Sequence, residues 1–184
     1  MQPQSVQRYV YNFLRPFTSS EKQDIKGSTD LYAHDAYTSQ FYFAPDGGIE
    51  ACINDPTNEL YPSCANTSYT YSAQDGGWLI GPAADPYAPW LHRATDWVPA
   101  FLRYLSETWA EPAGDLPIAV TEFGFSEPFE AQKELLQDIL YDTSRMSYYH
   151  DYMEAMLISL SEGINLVGCL AWSFVDNFEV KSLY

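Results

Sequence analysis

The chain has 184 residues, of which 46% are hydrophobic and 16% aromatic, so it can bury a sizeable core within one domain. Its 25 acidic residues outnumber 9 Lys and Arg residues, and the resulting formal charge of −16 disfavours binding to nucleic acid or to anionic lipid surfaces. No apolar run reaches the roughly 18 residues that span a bilayer, and residues 1–4 lack a charged-then-apolar signal pattern. We therefore expect a soluble chain, with the cytoplasm slightly favoured.

The first half of the chain predicts little regular structure. Residues 1–26 are typical of a helix followed by a loop, and residues 27–40 are typical of a strand with polar groups at its far end. Residues 44–90 are rich in Gly, Pro, Asn, Asp, Ser and Thr, a composition that predicts a long loop. Loops of that length in a compact domain are usually functional.

Cysteines and one short motif stand out in this sequence. Cys52 and Cys64 flank a polar part of the long loop and are either joined in a surface disulfide or free, two alternatives that the sequence leaves open. Asn66-Thr67-Ser68 fits an N-glycosylation acceptor, although such triplets are common by chance. Cys169 lies in an apolar run, where we expect it to be a small buried hydrophobe.

Three helices are predicted in the second half. The first begins near Asp96, with Pro99 tolerated in its first turn, and the second covers Phe129 to Tyr141. The third is capped by Asp142 and stopped by Gly163. Its predicted apolar positions, spaced by three and four residues, are Met146, Tyr149, Met153, Met156, Leu157 and Leu160.

Two apolar runs, 116–120 and 164–172, are short enough to be buried strands, and the third helix lies between them. Strand, helix, strand in this order indicates a right-handed parallel crossover. Acidic residues follow both runs, at the strand ends where ligands bind in α/β barrels and open sheets. The fold class is therefore α/β.

Three motifs in order identify a resemblance to a known family. They are the stretch from Phe17-Thr18 through Lys26-Gly27-Ser28 to Asp35-Ala36-Tyr37-Thr38-Ser39, then Thr121-Glu122-Phe123-Gly124, and finally Ala171-Trp172-Ser173-Phe174-Val175-Asp176-Asn177-Phe178-Glu179. They resemble, in turn, the segment around the sixth barrel strand, the nucleophile motif after the seventh strand and the sugar-binding signature after the eighth strand of glycoside hydrolase family 1, the β-glucosidase family. The resemblance runs over essentially all of the chain, so residues 1–184 are expected to be one partial catalytic domain of that family.

The family's fold implies what this chain lacks. An eight-stranded (β/α)8 TIM barrel takes about 250 residues or more, so the chain is expected to be the C-terminal portion of one, about strands six to eight with their helices. The implied partner is the missing N-terminal barrel part, or a second copy through self-association, because open sheet edges invite pairing.

The resemblance also implies a set of site residues. Glu122 would be the nucleophile of a retaining glycosidase, and the hydroxyl of Tyr37 would hold its carboxylate by a hydrogen bond. Trp172 would form a platform under the glucose ring, and Glu179 would accept hydrogen bonds from sugar hydroxyls. The substrate would be a β-glucoside or oligosaccharide, and no metal or cofactor is expected.

Two neighbours of Tyr37 have a less definite role. His34 and Asp35 are either helpers of the site or structural residues, and Asp35 stands where the family usually has Asn. Phe123 also replaces the Asn that usually follows the nucleophile, which is a milder change.

The main departure from the family is the general acid/base. Its Asn-Glu-Pro motif does not occur in these residues, and Glu111-Pro112 and Glu127-Pro128 stand at the wrong places to replace it. The family's Trp after Phe178-Glu179 is also replaced, here by Val180. Two functions therefore stay open: the nucleophile-bearing part of a β-glucosidase that is inactive alone, and a truncated, catalytically silent homologue that keeps sugar-binding groups or only the fold.

Overall fold

Short helices and strands alternate along the chain in the computed structural model, which describes residues 16–72 and 76–175. In chain order they are α1 (Ser19–Ile25), β1 (Tyr32–His34), β2 (Phe41–Phe43), α2 (Ile49–Ile53), β3 (Asn66–Ser68), α3 (Val98–Leu105), β4 (Ile118–Phe123), α4 (Leu136–Leu140), α5 (Thr143–Ser161) and β5 (Leu166–Ala171). They fall into two compact units, residues 16–28 with 40–72 and 76–78, and residues 29–39 with 79–175. No helix in the described ranges is long and apolar enough to cross a membrane.

Helix α1, in the first unit, begins at a capping box. The Thr18 amide donates to the Glu21 carboxylate at 2.8 Å, and the Glu21 amide donates to Thr18 Oγ1 at 3.3 Å. These two bonds satisfy amides that the first helical turn leaves without partners. The sequence predicts a helix followed by a loop over 1–26; the described part of that range instead ends in the helix Ser19–Ile25, and residues 1–15 lie outside the described ranges.

A disulfide and a two-stranded sheet organise the rest of the first unit. Strands β2 and β3 pair antiparallel, and Cys52 in α2 is bonded to Cys64, with both cysteines buried. The long loop predicted over 44–90 is therefore wrong in part. Gly48, with φ of 88°, turns the chain into α2, and the disulfide closes the segment that follows.

The second unit contains the predicted parallel sheet, with strand order β1-β4-β5. Helices α3 and α5 pack on one face of it, and Pro99 lies in the first turn of α3 as predicted. The core between sheet and helices includes Val98, Leu102 and Leu105 from α3, Ile118, Val120 and Phe123 from β4, and Tyr148, Tyr152 and Met156 from α5. The central strand is thus β4, which carries Glu122.

The helix predicted from Phe129 to Tyr141 is wrong as a single element. The structure has a 3-10 turn at Glu130–Gln132 and then the short α4, separated by Lys133 in an extended conformation. The cause is tertiary: the Phe129 amide donates to Asp85 Oδ2 at 2.7 Å, and Phe129 adopts a φ of 58° that a helix does not allow. Local helix propensity is overridden by these contacts.

Helix α5 has the predicted ends and a different buried face. Asp142 occupies the N-cap position and Gly163, with φ of 90°, follows the last turn. Of the six predicted apolar positions, Met146, Met153, Leu157 and Leu160 are exposed, whereas the buried residues are Tyr148, Tyr152, Ala155, Met156 and Ser159. The tyrosine rings supply the apolar area, and their hydroxyls find backbone acceptors described below.

Strand β5 is exposed along most of its length, contrary to the buried strand expected there. Cys169 is exposed as well, so its prediction as a buried hydrophobe is wrong. Within the described residues β5 pairs only with β4, and a strand at a sheet edge lacks the second neighbour that would cover it.

Candidate active site

The Tyr37 hydroxyl donates a hydrogen bond to Glu122 Oε2 at 2.7 Å, across 85 residues of sequence. Tyr37 lies three residues beyond the end of β1, and Glu122 is the fifth residue of the neighbouring β4. Both side chains are partly buried. The two strands run parallel, so their carboxyl ends meet at one edge of the sheet and bring these side chains together.

An irregularity in β4 accompanies Glu122. Val120 and Phe123 are both buried although they are three positions apart, and the register with β5 shifts over the same interval. Regular alternation would put residues of odd separation on opposite faces. The shift therefore lets Phe123 return to the core while Thr121 and Glu122 remain partly exposed at the strand end.

Two tyrosines of α5 hold the segment that carries Tyr37. The Tyr148 hydroxyl donates to the Tyr37 carbonyl at 2.9 Å, and the Tyr152 hydroxyl donates to the Ala36 carbonyl. Both rings are fully buried, and burial raises the pKa of each phenol well above its usual value. These neutral donors tie the backbone beneath Tyr37 to the helix layer.

The Asp35 side chain, just after β1, is hydrogen-bonded to Thr121 of β4, the residue before Glu122. Thr121 Oγ1 donates to Asp35 Oδ1 at 2.6 Å and lies 3.3 Å from the His34 carbonyl. His34 itself packs edge-on against Phe101 of α3, with ring centroids 5.1 Å apart. Among the described residues neither ring nitrogen of His34 has a hydrogen-bond partner, and burial lowers its pKa. This geometry favours the structural alternative for His34 and places Asp35 beside the site.

Trp172 lies at the end of β5, and its backbone is fixed beside Glu122. Its amide donates to the Phe123 carbonyl at 2.8 Å, and its carbonyl accepts a hydrogen bond from the Tyr149 hydroxyl at 2.7 Å. Gly124 permits this approach, because a Cβ there would lie 2.2 Å from the Trp172 carbonyl oxygen. The Trp172 side chain is 42% exposed, which leaves it available to a ligand.

The close approach at Gly124 gives a testable prediction. Gly124→Ala should destabilise the fold by about 1–3 kcal/mol, because the added methyl must push the Trp172 backbone away from Phe123. Gly168→Ala in β5 is the matched control, since no atom lies within 4 Å of its added Cβ. Thermal or denaturant unfolding measures both variants, and equal midpoints for the two would contradict this account of Gly124.

Glu179, the fourth predicted site residue, lies outside the described residues. The structure thus brings Tyr37, Glu122 and Trp172 to the carboxyl ends of three neighbouring strands and gives no position for Glu179.

Sequence reasoning missed Tyr148, Tyr152 and Gly124 as residues that shape this site. The signal for the tyrosines was their i, i+4 spacing together with Met156, which marks one face of a helix. The sequence has no local signal for the close approach of Gly124 to the Trp172 backbone.

Glu127 has a structural role away from Glu122. Its buried carboxylate accepts hydrogen bonds from the Ser144 amide at 3.0 Å and the Arg145 amide at 3.3 Å, and forms an ion pair with Lys133 Nζ at 3.2 Å. Burial raises the pKa of Glu127, but hydrogen bonds from Asp142 and Lys133 lower it by more, so its pKa lies below the usual value. Glu127 therefore caps α5 in place of the expected Asp142 side chain.

Asp142 forms a carboxyl pair with Glu127. Burial first, and then the hydrogen bond to Glu127, raises its pKa to about 6. Asp142 Oδ1 is buried and meets no protein donor in the described part of the chain, so a proton on one carboxyl is what lets the two side chains approach.

The Asp142 pKa predicts a pH dependence of stability. A pKa raised on folding gives stability that is fully present below the ordinary value of 3.8 and is lost as pH rises through about 6. Asp142→Asn cannot ionise, so at pH 7 it should be more stable than the parent by about 1–3 kcal/mol, with part of the gain offset by weaker attraction to Arg145.

Denaturant unfolding at several pH values between about 4 and 7 tests this prediction. The exposed Asp138→Asn variant is the control and should follow the parent curve. An Asp142→Asn curve parallel to the parent curve over that range would contradict a proton shared between Asp142 and Glu127.

Comparison with known proteins matches nearly the whole sequence to one family. The model of glycosyl hydrolase family 1 matches residues 2–184. Beta-glucosidase 44 of Arabidopsis thaliana is 30% identical over 182 residues, which cover 99% of this chain and 32% of that protein. Beta-glucosidase 12 of Oryza sativa subsp. indica is 30% identical over 184 residues, 99% of this chain and 33% of its own length. The chain thus spans about a third of the length of these relatives.

Solved structures give the fold. Beta-glucosidase 2 from the fungus Trichoderma reesei, in complex with Tris, superposes with a TM-score of 0.73 at 30% identity, over 96% of this chain and 35% of that one. A family 1 β-glucosidase from the fungus Humicola insolens, in complex with glucose, gives a TM-score of 0.73 at 28% identity, over 96% and 34%. The parallel sheet and its helices are therefore the corresponding part of a TIM barrel, as predicted, and the chain belongs to glycosyl hydrolase family 1.

Proposed function

We propose that this chain is the nucleophile-bearing part of a retaining β-glucosidase that hydrolyses terminal β-D-glucosyl residues. The observation that carries the proposal is the 2.7 Å hydrogen bond from Tyr37 to Glu122 at the ends of two parallel strands, beside Trp172. A nucleophilic carboxylate must be ionised and held in a fixed orientation next to the anomeric carbon. A phenolic donor on one oxygen supplies the orientation and leaves the other oxygen for attack.

In the proposed reaction, Glu122 displaces the aglycone and forms a covalent glycosyl-enzyme intermediate, which water then hydrolyses. Tyr37 keeps the carboxylate in position; its backbone carbonyl accepts the Tyr148 hydrogen bond, and its ring meets Trp90 edge-on with ring centroids 5.9 Å apart. The role of this support is to limit the motion of Glu122 before attack.

Trp172 and Glu179 are proposed to bind the glucose. The partly exposed indole would lie under the sugar ring, where C–H groups pack on the aromatic face. Glu179 would accept hydrogen bonds from sugar hydroxyls. A glucoside supplies these donors, whereas an analogue without the hydroxyls would leave the carboxylate without partners and bind more weakly.

The general acid is proposed to come from the part of the barrel that precedes this one. A retaining enzyme needs a second carboxyl about 5–5.5 Å from the nucleophile. Glu127 is engaged at the start of α5, and Glu111 accepts a hydrogen bond from Ser106 Oγ at 3.1 Å. These contacts support the view that neither Glu-Pro pair supplies the acid.

Reconstitution tests this function. The chain alone should hydrolyse an aryl β-glucoside only at background rate, since a general acid contributes about 10²–10⁴-fold and half of the cleft is missing. Co-expression with the first five strands of a family 1 β-glucosidase should restore hydrolysis. Full turnover by the chain alone, abolished by Glu122→Gln, would show that a carboxyl within these residues acts as the acid.

A silent homologue is the second candidate, favoured by Val180 in place of the family's Trp. It predicts that the reconstituted complex assembles but does not turn over. Binding of glucose to that complex, lost on Trp172→Ala, would then be its remaining activity.

A further inference from the structure

Asn66 is the only residue of the 184 that begins an Asn-X-Ser/Thr triplet with X other than Pro. The triplet is Asn66-Thr67-Ser68, and in the structure it forms strand β3. Asn66 and Thr67 are exposed, and Ser68 is half-buried. The proposed glucosidase reaction does not use this triplet, so any role of the triplet is separate from that reaction.

The side chain of Asn66 is available for modification. In the register of the two-stranded antiparallel sheet Asn66 is aligned with Phe43. Its side-chain amide forms no hydrogen bond with the described residues, whereas Asn54 donates its side-chain amide to the Glu50 carbonyl at 2.9 Å. A large group on the Asn66 amide would therefore extend into solvent without breaking a contact of the fold.

The covalent chemistry next to Asn66 points to an oxidising compartment. Cys64, two residues before it, is bonded to Cys52, and the two cysteines are 12 residues apart. Disulfides of this kind persist in secreted proteins and in the lumen of the endoplasmic reticulum and are rare in the cytosol. Disulfide formation and N-glycosylation both take place in the secretory pathway. Their occurrence within one short segment therefore weighs against the cytoplasmic location expected above.

We propose that Asn66 is an N-glycosylation site and that the chain matures in an oxidising, glycosylating compartment. In the transfer, Asn66 Nδ2 bonds to the anomeric carbon of an oligosaccharide carried on a lipid diphosphate. The bond from that carbon to the diphosphate oxygen breaks, the lipid diphosphate leaves with the electron pair, and one amide proton is released. Nothing is oxidised or reduced in this step.

The third residue of the triplet makes the site testable. Ser68 Oγ accepts from the Thr70 amide and donates to the Thr70 carbonyl, both at 2.9 Å, in a local turn. Ser68→Thr keeps the hydroxyl and the triplet, whereas Ser68→Ala removes both, and Asn66→Gln removes the acceptor. The three variants separate loss of the acceptor signal from a general failure to fold.

The test is expression of the full chain in a eukaryotic host with a secretion leader placed before residue 1, followed by mass spectrometry of the peptide that contains Asn66. We expect an oligosaccharide that an amidase cleaving N-linked glycans removes, leaving Asp at position 66. It should be present in the parent and in Ser68→Thr, and absent from Asn66→Gln and Ser68→Ala.

An Asn66 peptide that remains unmodified in chains whose Cys52–Cys64 disulfide has formed would overturn the proposal, since those chains have reached the compartment. Glycan that persists in Asn66→Gln would also overturn it. Both readouts are made on denatured protein and do not depend on glucosidase activity, so failure of the proposed function leaves this test intact.

Discussion

Replacing Glu122 by glutamine is expected to lower hydrolysis of an aryl β-glucoside by about 10³-fold or more in the reconstituted enzyme. Glutamine has nearly the same shape and keeps a carbonyl oxygen that can accept the Tyr37 hydrogen bond, but its amide is not a nucleophile. The loss should therefore appear in the rate of the chemical step, and binding of glucose should change little. Initial rates and glucose affinity measured on the same preparation give both quantities.

Glu134→Gln is the matched control for this experiment. It makes the same change of charge at an exposed glutamate in the segment before α4. We expect its rate to stay within about twofold of the parent, as for most surface substitutions that leave the fold intact. If the two variants lose activity equally, Glu122 has no special role.

The isolated chain is expected to self-associate. Apolar side chains on β5 and α5 are open to solvent, among them Val167 at 58%, Leu170 at 62% and Leu157 at 63% exposure. Monomeric soluble proteins rarely expose contiguous apolar surface of this kind, and among the described strands β5 has one edge without a neighbour, which adds unpaired backbone groups. Light scattering should show oligomers or aggregates that disappear when the first five barrel strands are supplied.

Leu157→Glu should lower both self-association and reconstitution, because it puts a charge into the exposed stripe formed with Met153 and Leu160 on α5. Leu140→Glu is the control, an equally exposed leucine on α4 outside that stripe. A monodisperse monomer with one sharp, cooperative unfolding transition would mean that the isolated chain covers these surfaces in another way.

The sequence predicts the central part of the second unit well because local and long-range signals agree there. The run before Glu122 is too short for a helix, and the parallel pairing of β4 and β5 follows from the helix between them. The family motifs then place Tyr37 and Glu122 at adjacent strand ends, where their hydrogen bond is found.

The failures have a common physical cause, which is that pattern reasoning assigns burial from residue type alone. On α5 the residue types predict that aliphatic positions such as Leu157 lie inside, yet Tyr148 and Tyr152 are buried because the segment after β1 offers carbonyls to their hydroxyls. Cys169 was expected inside because apolar parallel strands are usually covered on both faces, but here β5 has one neighbour among the described strands.

Contacts distant in sequence decide the remaining differences. The predicted helix does not begin at Phe129 because Asp85, 44 residues earlier, accepts a hydrogen bond from the Phe129 amide, and Phe129 has a φ of 58°. The cap of α5 comes from Glu127 and not from the side chain of the adjacent Asp142, which is hydrogen-bonded to Glu127 and to Arg145 instead. Neither contact has a local sequence signature.

Covalent trapping tests the central proposal most directly. A glucoside with fluorine at C2 and a good leaving group at C1 forms the glycosyl-enzyme intermediate but slows its hydrolysis, because the electron-withdrawing fluorine destabilises the oxocarbenium-like transition state. With the reconstituted enzyme, the peptide containing Glu122 should gain the mass of one fluorosugar, and Glu122→Gln should gain none. A fluorosugar found on Glu127, Glu111 or another carboxylate of this chain, with Glu122 unlabelled in active enzyme, would contradict the assignment of the nucleophile.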